Sequence, residues 1–139
     1  MRTTSLIALI LLALSCGKLK ETPTSPGDGT PPDPRATFTR VQNEVFTPSC
    51  GVAGCHDADI QQAGMILIAG RSYAQIVGKE STEVPSLKRV EPGNPDASYL
   101  YRKIAGGSIT GERMPPGGSL DASKIVLVRD WIRRGAPND

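Results

Sequence analysis

Cys50-Gly51-Val52-Ala53-Gly54-Cys55-His56 brings two thiols and an imidazole into one short stretch of chain. Two thiols so placed can each add to a vinyl group of one porphyrin, and an imidazole fixed beside the second thiol can lie under the iron. The signature of that chemistry is Cys-x-x-Cys-His. Here four residues, not two, separate the cysteines. Gly51 and Gly54 make the longer loop feasible, because glycine takes up backbone angles that other residues resist. His56 is the only histidine among 139 residues, and it stands where this chemistry needs one. The stretch predicts one covalently attached haem, held by Cys50 and Cys55 with His56 as an axial ligand.

Met114-Pro115-Pro116-Gly117-Gly118 is the second stretch with chemical content. Two prolines fix their own backbone angles and lack N–H groups, so the chain here is stiff and extended. A methionine at its mouth can be presented to a fixed point. With His56 on one face of the haem, Met114 becomes the expected ligand on the other. Ligation by histidine and methionine raises the iron potential, since a soft thioether favours the softer, reduced metal. Filling core gaps is the commoner fate of methionine. Met65 competes for the same role, although its place in the apolar run Met65–Ile68 favours packing.

Other chemistries use some of these residues. Cys50 and Cys55 could form a disulfide in a haem-free interaction module, which an oxidising compartment permits; that leaves His56 and the Met-Pro-Pro-Gly-Gly phrase unexplained. A zinc site needs four ligands, so two cysteines and His56 would have to recruit Asp57 or Asp59. A haem sensor or enzyme would need an open sixth position, and the chain has no second histidine for a peroxidase-like site.

The elements that must hold these groups are mainly helical. Ala36 to Phe46 places Phe38, Val41 and Val45 on one apolar face, with Pro48 as its stop. Asn94-Pro95 reads as a cap and first-turn proline. The helix it opens runs to about Ile104, with Gly106-Gly107 as terminator. Asp121 is placed to cap a last helix, whose buried stripe is Ile125, Val128, Trp131 and Ile132. Arg129, Arg133 and Arg134 give that helix a cationic end suited to its dipole. Tyr73 to Val77 suggests a short helix, while four residues at Met65–Ile68 do not decide between strand and buried extended chain. The fold class predicted is mostly α with long loops.

Upstream, Arg2 and the apolar run Leu6 to Leu14 form an export signal too short for a membrane anchor. It ends at Ala13-Leu14-Ser15-Cys16. Of three cysteines, haem accounts for two, and an exported chain seldom carries a loose thiol. Cys16 is therefore expected to be lipidated, with ordinary cleavage before it and simple secretion as the alternative, making residues 1–15 the signal and 16–35 a tether rich in Pro, Gly and Thr. Such a composition cannot bury enough apolar surface to offset its ordering entropy, so the folded domain is placed at 36–139. The stretch Ala13–Cys16 resembles a bacterial lipoprotein signal, and by that resemblance Gly17 rather than Asp after Cys16 implies the outer over the inner membrane, on the periplasmic side. A net charge of +2, with basic residues scattered, argues against nucleic-acid binding. Arg102, Lys103 and Arg113 read as a solvated face, or as cations beside a haem's acidic groups.

From about Phe46 onward the phrases fall into a familiar order. After Cys50–His56 come Gly64-Met65-Ile66-Leu67, Val90-Glu91-Pro92-Gly93-Asn94-Pro95 and Ser98-Tyr99-Leu100. Met114-Pro115-Pro116-Gly117-Gly118 and Trp131-Ile132-Arg133-Arg134-Gly135-Ala136 follow. In this the chain resembles the small c-type cytochrome domains of planctomycete and myxobacterial exported proteins. The resemblance implies a cytochrome c-like helical domain wrapped around one haem c on Cys50 and Cys55, with axial His56 and Met114. It implies a one-electron carrier rather than an enzyme, with redox proteins as transient partners and no small-molecule substrate.

Overall fold

The computed structural model describes residues 29–139; the export signal, Cys16 and most of the tether lie outside them. The first helical segment is continuous but not uniform. It runs through α1 (Phe38–Val41), a π-helical turn at Gln42–Phe46 and α2 (Thr47–Ser49). Thr37 caps it, its hydroxyl accepting the Arg40 N–H at 3.2 Å. The helix begins after Ala36 and passes Pro48, which sits within its last turn instead of stopping it. A proline in an α-helix collides with the carbonyl four residues back. The wider turn Gln42–Phe46, where the Thr47 N–H bonds to the Gln42 carbonyl, re-spaces those carbonyls just before Pro48. Val41, Val45 and Phe46 are buried along the apolar face, with Phe38 packed against them.

Beyond Cys50 the chain loops to a 3-10 turn at Gln62–Gly64, then runs extended through Ile66 and Leu67, both buried. α3 (Ser72–Ile76) follows. No strand forms among the described residues; single bridges join Val77 to Val90, Glu80 to Lys88 and Lys88 to Ser98. These bridges displace the expected start of α4 (Tyr99–Ala105). The Lys88 and Arg89 carbonyls, each at 2.9 Å, take the Tyr99 and Leu100 amides, so the helix begins there. Asn94 instead closes a turn, its side-chain oxygen accepting the Ala97 N–H at 3.1 Å. Gly106 ends α4 in the left-handed region, as a glycine terminator should.

α5 (Ala122–Arg133) completes the set. Asp121 holds the N-cap position, but its main-chain carbonyl rather than its carboxylate accepts the Lys124 N–H. Val128, Trp131 and Ile132 are fully buried, and Ile125 flanks them. The core gathers around Phe38, whose ring meets Tyr73 edge-on at 5.0 Å and Trp131 at 5.4 Å. The C-terminal residues fold back over it: Trp131 donates to the Pro137 carbonyl and Tyr73 to that of Ala136, both at 2.9 Å.

The cationic end of α5 is more than a solvated face. Arg133 reaches the Thr30 carbonyl and Arg134 that of Ala36, while buried Asp130 accepts the Asp33 amide at 3.2 Å. The chain is thus stitched to the domain before residue 36. Among the described residues the class is helical without strands.

Candidate functional site

Cys50 closes the first helical segment. Its N–H and that of Gly51 both donate to the Phe46 carbonyl, at 2.9 and 2.8 Å, which ends the helix and throws the chain into a loop. The loop is then sewn shut: the Cys55 N–H donates to Val52 at 3.1 Å and the His56 N–H to Cys50 at 3.1 Å. Asp57 braces it from outside. One carboxylate oxygen accepts the Gly54 N–H at 2.7 Å, and the other accepts Asp59 at 2.9 Å and Ile60 at 2.7 Å. Those bonds hold the Asp57 carboxyl below its usual range, Ile60 and Gly54 contributing most.

Gly54 has a φ of +85°, so the long loop does rely on glycine's backbone freedom here. Gly51 answers a different need. A Cβ on it would stand 2.7 Å from the Leu67 carbonyl oxygen, so the helix end and the Met65–Ile68 run touch backbone to backbone.

His56 is buried, and its Nδ1 lies 3.0 Å from the Gln62 carbonyl oxygen. A carbonyl oxygen only accepts, so Nδ1 carries the proton and Nε2 keeps its lone pair. Burial is the largest influence on the ring and pushes its pKa down, against the pull of the Gln62 and Met65 main chain; the Arg89 charge adds to the lowering. The lowering favours the neutral imidazole at pH 7. Burial likewise pushes the Cys50 thiol up to about 11, with Cys55 adding to it. Both thiols are free.

Cys50, Cys55, His56 and Met114 line one cavity of about 530 Å³, well inside the ~300–1,000 Å³ of small-molecule and cofactor sites. Phe46, Leu67, Leu100 and Ile104 give it apolar walls. Met114 arrives from the far end of the chain, its N–H anchored on the Lys103 carbonyl at 2.9 Å and its side chain packed against the core. Met65 lines the same cavity, so core packing does not withdraw it from the site. Among the described residues no three His, Cys, Asp or Glu side chains converge as ligands of a bare metal ion.

The charged groups at the cavity only partly match those the sequence suggested. Of Arg102, Lys103 and Arg113, only Lys103 lines it. Lys103 is buried and paired with Glu83 at 3.1 Å, and it donates to Thr110 O at 2.9 Å. Arg102 donates to the Asp96 carbonyl, and Arg113 closes the end of α4 through Ile104 O. Arg89, which sequence reasoning passed over, joins Lys103 in the lining. Its contacts are carbonyls of residues far away in the chain, which leave no mark on local sequence.

The arrangement offers two thiols, one imidazole with Nε2 left as a donor, and two thioethers around an apolar space whose charged margin is Arg89 with the Lys103–Glu83 pair. It suits a large, mostly apolar ligand that needs both a soft donor and a nitrogen donor. No protein-family model, curated protein or solved structure matches the chain.

Proposed function

We propose that this is an exported c-type cytochrome with a single haem, a one-electron carrier tethered to a membrane through lipid on Cys16. One observation carries the reading. Met114, remote in sequence, lines the same cavity as the Cys50, Cys55 and His56 cluster. Residues that the chemistry of covalent haem requires together are together, in a cavity with apolar walls.

The residues present fit that group. Cys50 and Cys55 are unpaired thiols on one loop, as two thioether links require. A bare ion bound by both sulfurs would need them about 2.3 Å from the metal; thioether attachment to the porphyrin rim makes no such demand, and no converging ligand set occurs among the described residues. Haem bound here supplies exchange of one electron between ferric and ferrous iron. The chain's part is to hold and exclude. The Gln62 carbonyl fixes the His56 ring and directs its proton to Nδ1, leaving Nε2 as the donor. Met114 offers a soft second ligand from a segment stiffened by two prolines. If His56 and Met114 both held the iron, no position would be open to a substrate, and the group would serve electron exchange rather than turnover chemistry. Phe46, Leu100 and Ile104 turn apolar surface to the space, which would pack against the faces of a bound porphyrin.

Electrons would pass across a small transient interface with a redox protein. The Cys50–Cys55 loop is where such a contact would form, since Val52, Ala53 and Gly54 are exposed there.

Expression with a haem-attachment system, followed by haem staining on a denaturing gel and spectra of both oxidation states, tests the proposal. Stain travelling with the polypeptide and a weak sulfur-to-iron band in the oxidised form are expected. A colourless protein with Cys50 and Cys55 joined as a disulfide would refute it.

A further inference from the structure

The turn that holds His56 is built from unfavourable backbone. Gln61 has φ 50° and ψ 50°, Ala63 has φ 54° and ψ 28°, and Gly64 has φ 62°. Two of these are side-chain-bearing residues in the left-handed region, which L-residues avoid and which persists only where the surroundings impose it. Between them sits Gln62, whose carbonyl receives the His56 Nδ1 proton.

Arg89 is bound to this turn from across the chain. Its Nη2 donates to the carbonyls of Ala63 at 3.1 Å and Gly64 at 3.2 Å, and its Nη1 to that of Gln75 at 2.9 Å. The Thr82 hydroxyl adds a second bond to the Ala63 carbonyl at 3.1 Å. Arg89 is itself a firm base. Its N–H is bound to Lys79 at 2.6 Å and its carbonyl receives the Leu100 amide at 2.9 Å. No carboxylate pairs with it among the described residues; all of its side-chain bonds go to carbonyls. A guanidinium presents a planar, pre-organised fork of donors, which one ammonium cannot copy across three acceptors.

We propose that Arg89 is the positioning residue of the His56 site: it clamps the left-handed Gln61–Gly64 turn, which aims the Gln62 carbonyl at Nδ1 and so selects the ring form with a free Nε2. Its importance for electron transfer rests on His56 being a haem ligand, but the ring form itself does not.

The test is nitrogen-15 NMR of the His56 ring in the full chain made without haem attachment, at a pH where the ring is neutral. Wild type should show the Nδ1–H form predominating. In Arg89→Ala the ratio of Nδ1–H to Nε2–H should fall about fivefold, the effect of losing one ordinary hydrogen bond. Arg89→Lys should lower it too, and is the variant to read if the alanine protein fails to fold. Adding Ala63→Gly to either should recover most of the ratio, since glycine takes the left-handed angle without help. An unchanged ratio in the Arg89 variants overturns the proposal, and so does a double variant no better than its single parent. Failure of haem attachment would instead sink the proposed function and leave this ring measurement standing.

Discussion

Gly51→Ala is the substitution whose cost the geometry specifies most closely. The new methyl would lie 2.7 Å from the Leu67 carbonyl oxygen, 3.0 Å from its carbon and 3.3 Å from the Ile68 nitrogen. All three are backbone atoms, so no side chain can swing aside. Either the end of the first helical segment or the Met65–Ile68 run must move. Overpacking of this kind costs about 1–3 kcal/mol. The same Leu67 carbonyl accepts the Gln42 side-chain amide at 3.1 Å, in a buried network that Ser72 joins by donating to the Gln42 oxygen. Displacing the carbonyl weakens that bond, adding about 1 kcal/mol. The total of ~2–4 kcal/mol is a large share of the ~5–15 kcal/mol that holds a domain folded.

Gly54→Ala supplies the contrast. No atom lies within 4 Å of its added methyl, but its φ of +85° is one that alanine resists, at about 1–2 kcal/mol. Urea unfolding followed by the fluorescence of Trp131, the single tryptophan, measures both. Gly51→Ala should lower the midpoint further than Gly54→Ala at an unchanged slope. Equal losses, or a Gly51→Ala protein as stable as wild type, would refute the claim that the two segments meet backbone to backbone.

Met114→Ala should retain covalent haem but lower the reduction potential and admit added ligands, read by redox titration and by spectra with imidazole; Met65→Ala should change neither. Asp57→Asn should destabilise the chain at pH 7 and progressively less in acid: the carboxyl is held below its unfolded value, so its contribution is present above that value and lost as pH falls through the folded one. Melting curves across that range check the sign. In the haem-free chain Cys50, pushed up to about 11 by burial, is thiolate in only about one molecule in a thousand at pH 8. Its alkylation by iodoacetamide, followed by peptide mass analysis, should be slow there and accelerate steadily towards pH 11.

What could be read from sequence divides along a physical line. The apolar stripes of the first helix and of α5 were legible because burial imposes a helical period, and Val41, Val45, Val128 and Trp131 are all fully buried. Helix ends were legible only where the terminating force is local. Gly106 stops α4 by its own left-handed angle. Pro48 does not stop the first helix, because a π turn adjusts before it, and Asn94 does not open α4, because carbonyls at Lys88 and Arg89 take the first amides. The same division runs through the site. Cys50, Cys55 and His56 share a few residues of chain, so their spacing is itself chemical information. The groups that serve them come from elsewhere: Arg89 reaches residues 26 and 25 positions away at Ala63 and Gly64. Nothing local marks Arg89 out from Arg102 or Arg113, since what distinguishes it is the bridge of Val77 to Val90 that sets its neighbours. Met65 and Met114 carry the same contrast into the ligand set. Each lines the cavity, one from an apolar run and one from a proline-stiffened segment, and both thioethers are chemically alike. The proline-stiffened segment favours Met114, because a ligand held by rigid chain loses less freedom on binding than one on an ordinary loop, and the paired alanine substitutions should part the two by potential.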